Sequence, residues 1–194
     1  EMQRSLVGSE MCIRDRLEAG NYSEAVSLLA ECLEYPHHLG EGKLHGAQEN
    51  DFYYFMGCTY EGLGQNDKAV ECWEQAIVGP TEPAAAMYYN DAKPDKIFYQ
   101  GLALLKLNRM DEANGRFHKL TTYGEKYLFD KVKMDYFAVS LPDLLIWEDD
   151  LTIRNVIHCK YMMALGYWGL NEKEKSVRSV SYTHLRAHET TLHL

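Results

Sequence analysis

The stretch DFYYFMGCTYEGLGQNDKAVECWEQAIVGP, residues 51–80, holds two amphipathic patterns separated by a Leu-Gly pair. In its first half, apolar or small residues recur at the i, i+3, i+4 and i+7 spacing of one helix face. Gly64 favours the left-handed backbone that ends a helix, and Pro80 lacks the N–H that would continue a second one. The stretch therefore predicts a helix, a tight turn and a second helix that packs back on the first.

The same pattern recurs along the chain with a period of 44 residues. Ala25, Ala69 and Ala113 mark a small position where paired helices would cross, and a bulky apolar residue follows each alanine four residues later. A glycine or asparagine precedes each alanine by five residues, and a less complete fourth copy follows around Ala164. The residues predicted to form the repeat core are Tyr53, Gly57, Tyr60, Gly64, Ala69, Trp73, Ala76, Gly101, Ala113, Phe117 and Tyr167.

This pattern resembles the tetratricopeptide repeat, whose signature places W-x2-L-G-x2-Y, then A-x3-F, then P along a helix–turn–helix unit. The resemblance implies an all-α solenoid of stacked helix pairs with a surface for binding a partner. The chain departs from that family in its period, because tetratricopeptide units repeat at about 34 residues. The surplus falls in residues 36–50 and 80–94, which are rich in Gly, Pro and Asn and predict long inserts between the repeats.

Both ends of the chain resemble a translated sequencing adapter. One oligonucleotide, read in opposite orientations and in different frames, encodes both Leu6–Arg16 and Val180–Thr190. Segments of such origin are set aside before a fold is inferred. We therefore expect residues 1–16 and 179–194 to be non-native, and residues 17–178 to be a tetratricopeptide-like domain on a metagenomic fragment, truncated at both ends.

Charge and composition exclude several classes of protein. The chain has 20 basic and 29 acidic residues, a net charge of −9, whereas a nucleic-acid partner requires clustered Lys and Arg. No apolar run reaches the roughly 18–20 residues that span a bilayer. Four cysteines outside the adapter-like ends (Cys32, Cys58, Cys72 and Cys159) form no C-x-x-C pair. We expect them to be buried thiols, which favours a reducing, cytoplasmic compartment.

The first insert carries His37, His38 and Glu41, which are candidate binding residues. Histidine and carboxylate side chains can act as acid–base groups or as metal ligands. Their spacing matches no zinc template, so we expect no metal site and no cofactor. Two interpretations remain: a surface role, or contacts with a neighbouring domain or ligand.

The second insert carries Tyr88, Tyr89 and Asp91. The two tyrosines either line a groove for a peptide or a sugar ring, or pack the insert onto the repeats. Adjacent His158 and Cys159 lie on a predicted helix, where successive side chains point about 100° apart, so they do not suggest a catalytic dyad. Neither a nucleophile elbow nor a glycine-rich phosphate loop is present, and we expect no catalytic residues.

Several strings outside the repeat positions resemble one narrower group of proteins. They include LGEGKLHGAQEND (39–51), EPAAAMYYND (82–91) and DYFAVSLPDLLIWEDDL (135–151). They are similar to the C-terminal part of large bacterial proteins that join an N-terminal domain of unknown function to a tetratricopeptide tail. The resemblance implies that this N-terminal domain is β-rich, mutarotase-like and carbohydrate-related, and it adds no site residue to the present chain.

Two functions follow from these observations. The first is a non-catalytic protein-interaction or scaffold module, which docks onto the N-terminal domain of the same bacterial protein. The alternative is a helical accessory part of a carbohydrate-active enzyme, which contributes loop residues to a shared active site. His37, His38, Glu41, Tyr88 and Tyr89 would be those residues, together with Asp91.

Overall fold

The computed structural model describes residues 13–34, 47–85, 93–131 and 151–181, and every regular element within these ranges is an α-helix. This confirms the prediction of an all-α fold. The helices are α1 (residues 13–18), α2 (Tyr22–Leu33), α3 (Asn50–Gly62), α4 (Asn66–Ala76), α5 (Pro94–Lys106), α6 (Met110–Tyr127), α7 (Leu151–Gly169) and α8 (residues 173–181).

One type of turn joins α1 to α2, α3 to α4, α5 to α6 and α7 to α8. Its central residue has a left-handed backbone, with φ of 75° at Gly20, 72° at Gly64, 59° at Asn108 and 62° at Asn171. In each turn the N–H of the next residue donates to the carbonyl five residues before it, as in a Schellman motif. These bonds are Asn21 to Arg16, Gln65 to Tyr60, Arg109 to Leu104 and Glu172 to Tyr167. The shared geometry places all four copies in the predicted register.

The described part of the chain divides into two compact units. The first contains residues up to Thr81 together with Asp95–Ala113, and the second contains Glu82–Pro94 and the residues from Asn114 onward. In the first unit, α2 packs on α3 and α3 packs on α4. Its larger apolar cluster is built from buried residues of α4 and α5: Ala69, Trp73, Ala76 and Ala103.

α3 and α4 pack tightly at Gly57. A Cβ atom added there would lie 2.3 Å from Nε1 and 2.5 Å from Cδ1 of Trp73. The indole is 5% exposed, and the half-buried Tyr53 and Tyr60 pack against its cluster. The absence of a side chain at Gly57 thus makes the space that the Trp73 ring fills.

In the second unit, α6 and α7 also meet at a glycine. A Cβ atom on Gly166 would lie 2.7 Å from the Phe117 carbonyl oxygen, so the two backbones are in contact there. Phe117 and Met162 are fully buried, and a Cβ atom on Gly169 of α7 would lie 2.3 Å from Cδ1 of the Phe117 ring. Ser176, at the small position of the fourth copy, is 2% exposed and donates to the Ala164 carbonyl at 2.9 Å.

Among the described residues of the inserts, 47–49, 80–85 and 93 are non-helical, as predicted. However, α4 ends at Ala76, so Pro80 is not what stops it. The buried Asn50 amide instead donates to the carbonyls of Ala76 at 2.7 Å and Val78 at 2.8 Å, which satisfies the end of the helix. Fully buried Gln100, where the repeat usually has an apolar residue, donates to the Pro80 carbonyl at 3.0 Å.

α1 includes residues 13–16, which we expect to be adapter-derived. Ile13 is 2% exposed and lies in an apolar cluster with Leu29 and Met56. Helical structure does not test the origin of these residues, and the assignment of residues 1–16 and 179–194 stays a prediction.

Replacing Trp73 with alanine should lower the free energy of unfolding by about 3–5 kcal/mol, because it leaves a cavity where a buried ring had been. Urea denaturation of the substituted and unsubstituted chains measures this loss. A loss below about 1 kcal/mol, the size of an ordinary surface substitution, would contradict the register of the repeat.

Gly57→Ala should destabilise the first unit by about 1–3 kcal/mol, because the new methyl group overpacks the contact with Trp73. Gly115→Ala is the matched control, since a Cβ there meets nothing within 4 Å. The control should be neutral or stabilising by up to about 1 kcal/mol, as alanine is the better helix former. Equal effects of the two substitutions in the same denaturation experiment would disprove the close approach at Gly57.

Candidate functional site

The six candidate binding residues predicted from the sequence lie outside the described residues. They are His37, His38 and Glu41 of the first insert, and Tyr88, Tyr89 and Asp91 of the second. The structure therefore places none of them, and their role stays a prediction. The repeat-core residues are all described: Gly64 is exposed in its turn, Tyr53, Tyr60 and Tyr167 are half-buried, and the remaining members are buried.

The most distinctive surface of the first unit is formed by aromatic rings on α3 and α5. Tyr99 lies 5.5 Å from the Tyr54 ring and 5.3 Å from the Phe55 ring, measured between centroids. Phe98 contacts Tyr99 at 5.7 Å. Tyr54 and Phe98 occupy equivalent positions 44 residues apart, as do Phe55 and Tyr99. We call Tyr54, Phe55 and Tyr99, which are half-buried, the aromatic face.

A cationic side chain lies on this face. The Arg14 guanidinium carbon lies 5.6 Å from the centre of the Phe55 ring, within the range of a cation–π contact. Nη2 of Arg14 donates to the Tyr99 hydroxyl at 3.1 Å. Arg14 itself is exposed, whereas the preceding Ile13 is buried. One residue of α1 thus packs into the core and the next contacts the aromatic face.

An ion pair borders the aromatic face at the start of α3 and α5. Lys96 Nζ lies 2.5 Å from Asp51 Oδ2, and the two side chains are only 12% and 10% exposed. A second carboxylate, that of Asp95, lies 3.6 Å from the same Nζ. Within the described residues, the other Asp51 oxygen, Oδ1, is buried without a hydrogen-bond partner. Two carboxylates and one ammonium leave this group with one negative charge in excess.

The acid–base state of the face follows from burial. Burial raises the pKa of Tyr99; the Arg14 guanidinium opposes the rise, and the Asp51 and Asp95 carboxylates add to it. Burial also raises the pKa of Tyr54, with a further contribution from neighbouring Cys58. Both phenols are therefore protonated at neutral pH and serve as hydrogen-bonding groups rather than as bases.

The thiols of Cys58 and Cys159 are not activated. Burial raises the pKa of Cys58, and it raises the pKa of Cys159 to about 11 with a further contribution from Asp130. A reactive cysteine needs the opposite shift, because the thiolate is the nucleophile. Cys159 Sγ donates to Asn155 Oδ1 at 3.6 Å, while Nε2 of His158 lies 2.9 Å from the Ala84 carbonyl oxygen. The adjacent histidine and cysteine thus have different partners, as expected for core residues.

Within residues 13–34, 47–85, 93–131 and 151–181, no three His, Cys, Asp or Glu side chains come together as a metal site requires. In the same ranges, no helix is long and apolar enough to cross a membrane. The aromatic face is the candidate site because three half-buried rings meet there and contact a guanidinium. Sequence reasoning missed it, although aromatic residues at two equivalent positions of consecutive repeats were a usable signal.

Comparison with known proteins gives a match to a family of helical repeats. The tetratricopeptide-repeat model matches residues 51–77, which are α3, α4 and the turn between them. No solved structure shows a significant match to the chain. With the helix pairs and their shared turns, this match shows that the fold is all-α and tetratricopeptide-like.

Proposed function

We propose that the chain is a non-catalytic protein-interaction module that docks an adjoining N-terminal domain of the same bacterial protein. Tetratricopeptide repeats generally mediate contacts between proteins, and the match to residues 51–77 supports that role. The observation that carries the proposal is the aromatic face, because α1 already lies against it through Arg14. Helix α1 thus shows how a helical segment can contact the aromatic face through an arginine side chain.

The composition of the face supports a protein partner. Tyrosine and arginine dominate the energetics of protein interfaces, since their side chains combine a large apolar area with directed hydrogen bonds. Tyr54, Phe55 and Tyr99 are half-buried within the first unit, so part of each ring is left for a partner. Their positions on helices keep the rings ordered before binding, which reduces the entropy that association costs.

The proposal also covers the parent protein: its N-terminal domain, the origin of the two chain ends and its compartment. The strings in the inserts support a parent with a β-rich, mutarotase-like and carbohydrate-related N-terminal domain. The shared oligonucleotide supports an adapter origin for residues 1–16 and 179–194, with residues 17–178 as the repeat domain. The scattered positions of Cys32, Cys58, Cys72 and Cys159, with no C-x-x-C pair, support a reducing, cytoplasmic setting. Long-read sequencing of the source sample tests the parent and the adapter together.

The alternative, an accessory role in a carbohydrate-active enzyme, depends on insert residues that lie outside the described ranges. It has its own experiment in the full-length parent, where Glu41→Gln and Asp91→Asn remove the candidate acid–base groups. Lost turnover with unchanged folding would support a shared active site. Unchanged turnover would exclude both carboxylates from catalysis.

The docking proposal predicts that the separately produced N-terminal domain binds the chain with Arg14→Ala, in which the aromatic face is vacant. In that background Tyr99→Ala should weaken binding about fivefold or more, because a central interface aromatic is worth above about 1 kcal/mol. Isothermal titration calorimetry measures the affinity, and circular dichroism checks the fold of each variant. Tyr127→Ala, a half-buried tyrosine of the second unit, is the matched control and should leave the affinity unchanged. Absence of binding, or equal losses in the two variants, would refute the proposed surface.

A further inference from the structure

We propose that the aromatic face is a recognition site for arginine, and that the partner segment which docks there presents an arginine guanidinium to Phe55 and Tyr99. This rests on the proposed interaction function and names the chemistry of the partner. Arg14 shows the arrangement in the chain itself, with its guanidinium over Phe55 and its Nη2 bonded to the Tyr99 hydroxyl. The contact chemistry is the same whether Arg14 belongs to the natural protein or to an adapter.

The two contacts select a guanidinium over an ammonium group. A planar guanidinium can stack on one ring while its N–H groups donate in the plane, whereas an ammonium is a compact and strongly hydrated point charge. Phe55 supplies the ring face, and Tyr99 supplies the acceptor oxygen. The raised pKa of Tyr99 keeps its hydroxyl neutral, so the acceptor does not depend on titration near pH 7.

The charge around the face also favours a cation. Lys96 lies 2.5 Å from Asp51 and 3.6 Å from Asp95, so one ammonium serves two carboxylates. Arg14 supplies the second positive charge near Tyr99, and one negative charge is left in excess when Arg14 is replaced. Both carboxylates act on the Tyr99 hydroxyl, where they raise its pKa. An arriving guanidinium neutralises this excess charge. Asp51 Oδ1, buried and without a hydrogen-bond partner among the described residues, is a further acceptor in the same group.

The net charge of the whole chain also favours a basic partner. A net charge of −9 attracts basic segments and repels acidic ones over the length of a Debye screening distance.

Helix α1, which contacts the aromatic face in the structure, indicates a second requirement for the partner. Ile13, next to Arg14, is buried with Leu29 and Met56, so an aliphatic residue beside the arginine finds an apolar cluster. The partner is therefore a segment that carries an aliphatic residue followed by arginine.

The test uses the whole chain with Ile13→Ala and Arg14→Ala, which vacates both the apolar cluster and the aromatic face, and the probe peptide acetyl-Ile-Arg-Ala-amide. NMR ring signals of Phe55 and Tyr99 should shift saturably as the peptide is added. The matched peptide with citrulline, which is uncharged but of similar shape, should bind about tenfold more weakly or worse, because it loses the charge and the cation–π contact. The lysine peptide should also bind more weakly. The unsubstituted chain should bind the arginine peptide less well, since Arg14 occupies the face.

Two conservative variants in the same Ile13→Ala, Arg14→Ala background locate the site. Phe55→Leu removes the ring face but keeps an apolar side chain, and Tyr99→Phe removes only the hydroxyl; each should reduce the affinity for the arginine peptide. Tyr127→Leu, whose ring contacts Lys126 in the second unit at 4.7 Å, should leave the affinity unchanged. Circular dichroism confirms that each variant is folded.

Equal affinity for the arginine and citrulline peptides, or for the arginine and lysine peptides, would overturn the inference. Undiminished binding in Phe55→Leu would do the same. These outcomes are separate from failure of the proposed function. An N-terminal domain that binds the chain while the arginine peptide does not would leave docking intact and remove the arginine site. The reverse result would keep the arginine site and remove that domain as its partner.

Discussion

The contact between Gly57 and Trp73 sets the geometry on which the first unit depends. A ring that is 5% exposed fills the space where a Cβ on Gly57 would lie, and this fixes how closely α4 approaches α3. With one side of α3 committed to α4, the neighbouring residues Tyr54 and Phe55 are free to meet Tyr99 on α5. The candidate site thus follows from the packing of the repeat rather than from an added element.

Two buried amides explain how a repeat with a long insert keeps its order. Asn50 satisfies carbonyls at the end of α4, and Gln100 binds the Pro80 carbonyl. Backbone carbonyls that leave a helix near a core need such partners, because an unsatisfied buried polar group costs about 1–3 kcal/mol. Gln100 replaces the usual apolar residue of the repeat, and its amide binds a carbonyl of the insert that lengthens the period. The start of the insert is thus held by hydrogen bonds from Asn50 of α3 and Gln100 of α5.

The sequence was sufficient for the helix pairs and their register, because these depend on local rules. Apolar periodicity predicts the helices, and Gly20 and Gly64, like Asn108, have the left-handed backbone expected of the predicted turns. It was insufficient for the end of α4, which is satisfied by an amide 26 residues earlier in the chain. The aromatic face was missed for a similar reason. Tyr54 and Phe55 lie outside the apolar stripe that predicts α3, and only the tertiary contact with Tyr99 on α5 joins the three rings into one surface.

The Lys96–Asp51 ion pair fixes the position of charged groups more than it stabilises the fold. A pair this far from solvent gains little net stability, because desolvation of both charges offsets their attraction. Its consequence is geometric: the ammonium holds the carboxylates of Asp51 and Asp95 at the border of the aromatic face. Placing fixed negative charge beside neutral rings favours a guanidinium over an acidic or a purely apolar partner, and charges at such a rim act mainly on specificity and association rate. The rings would then hold the arginine side chain once it has arrived.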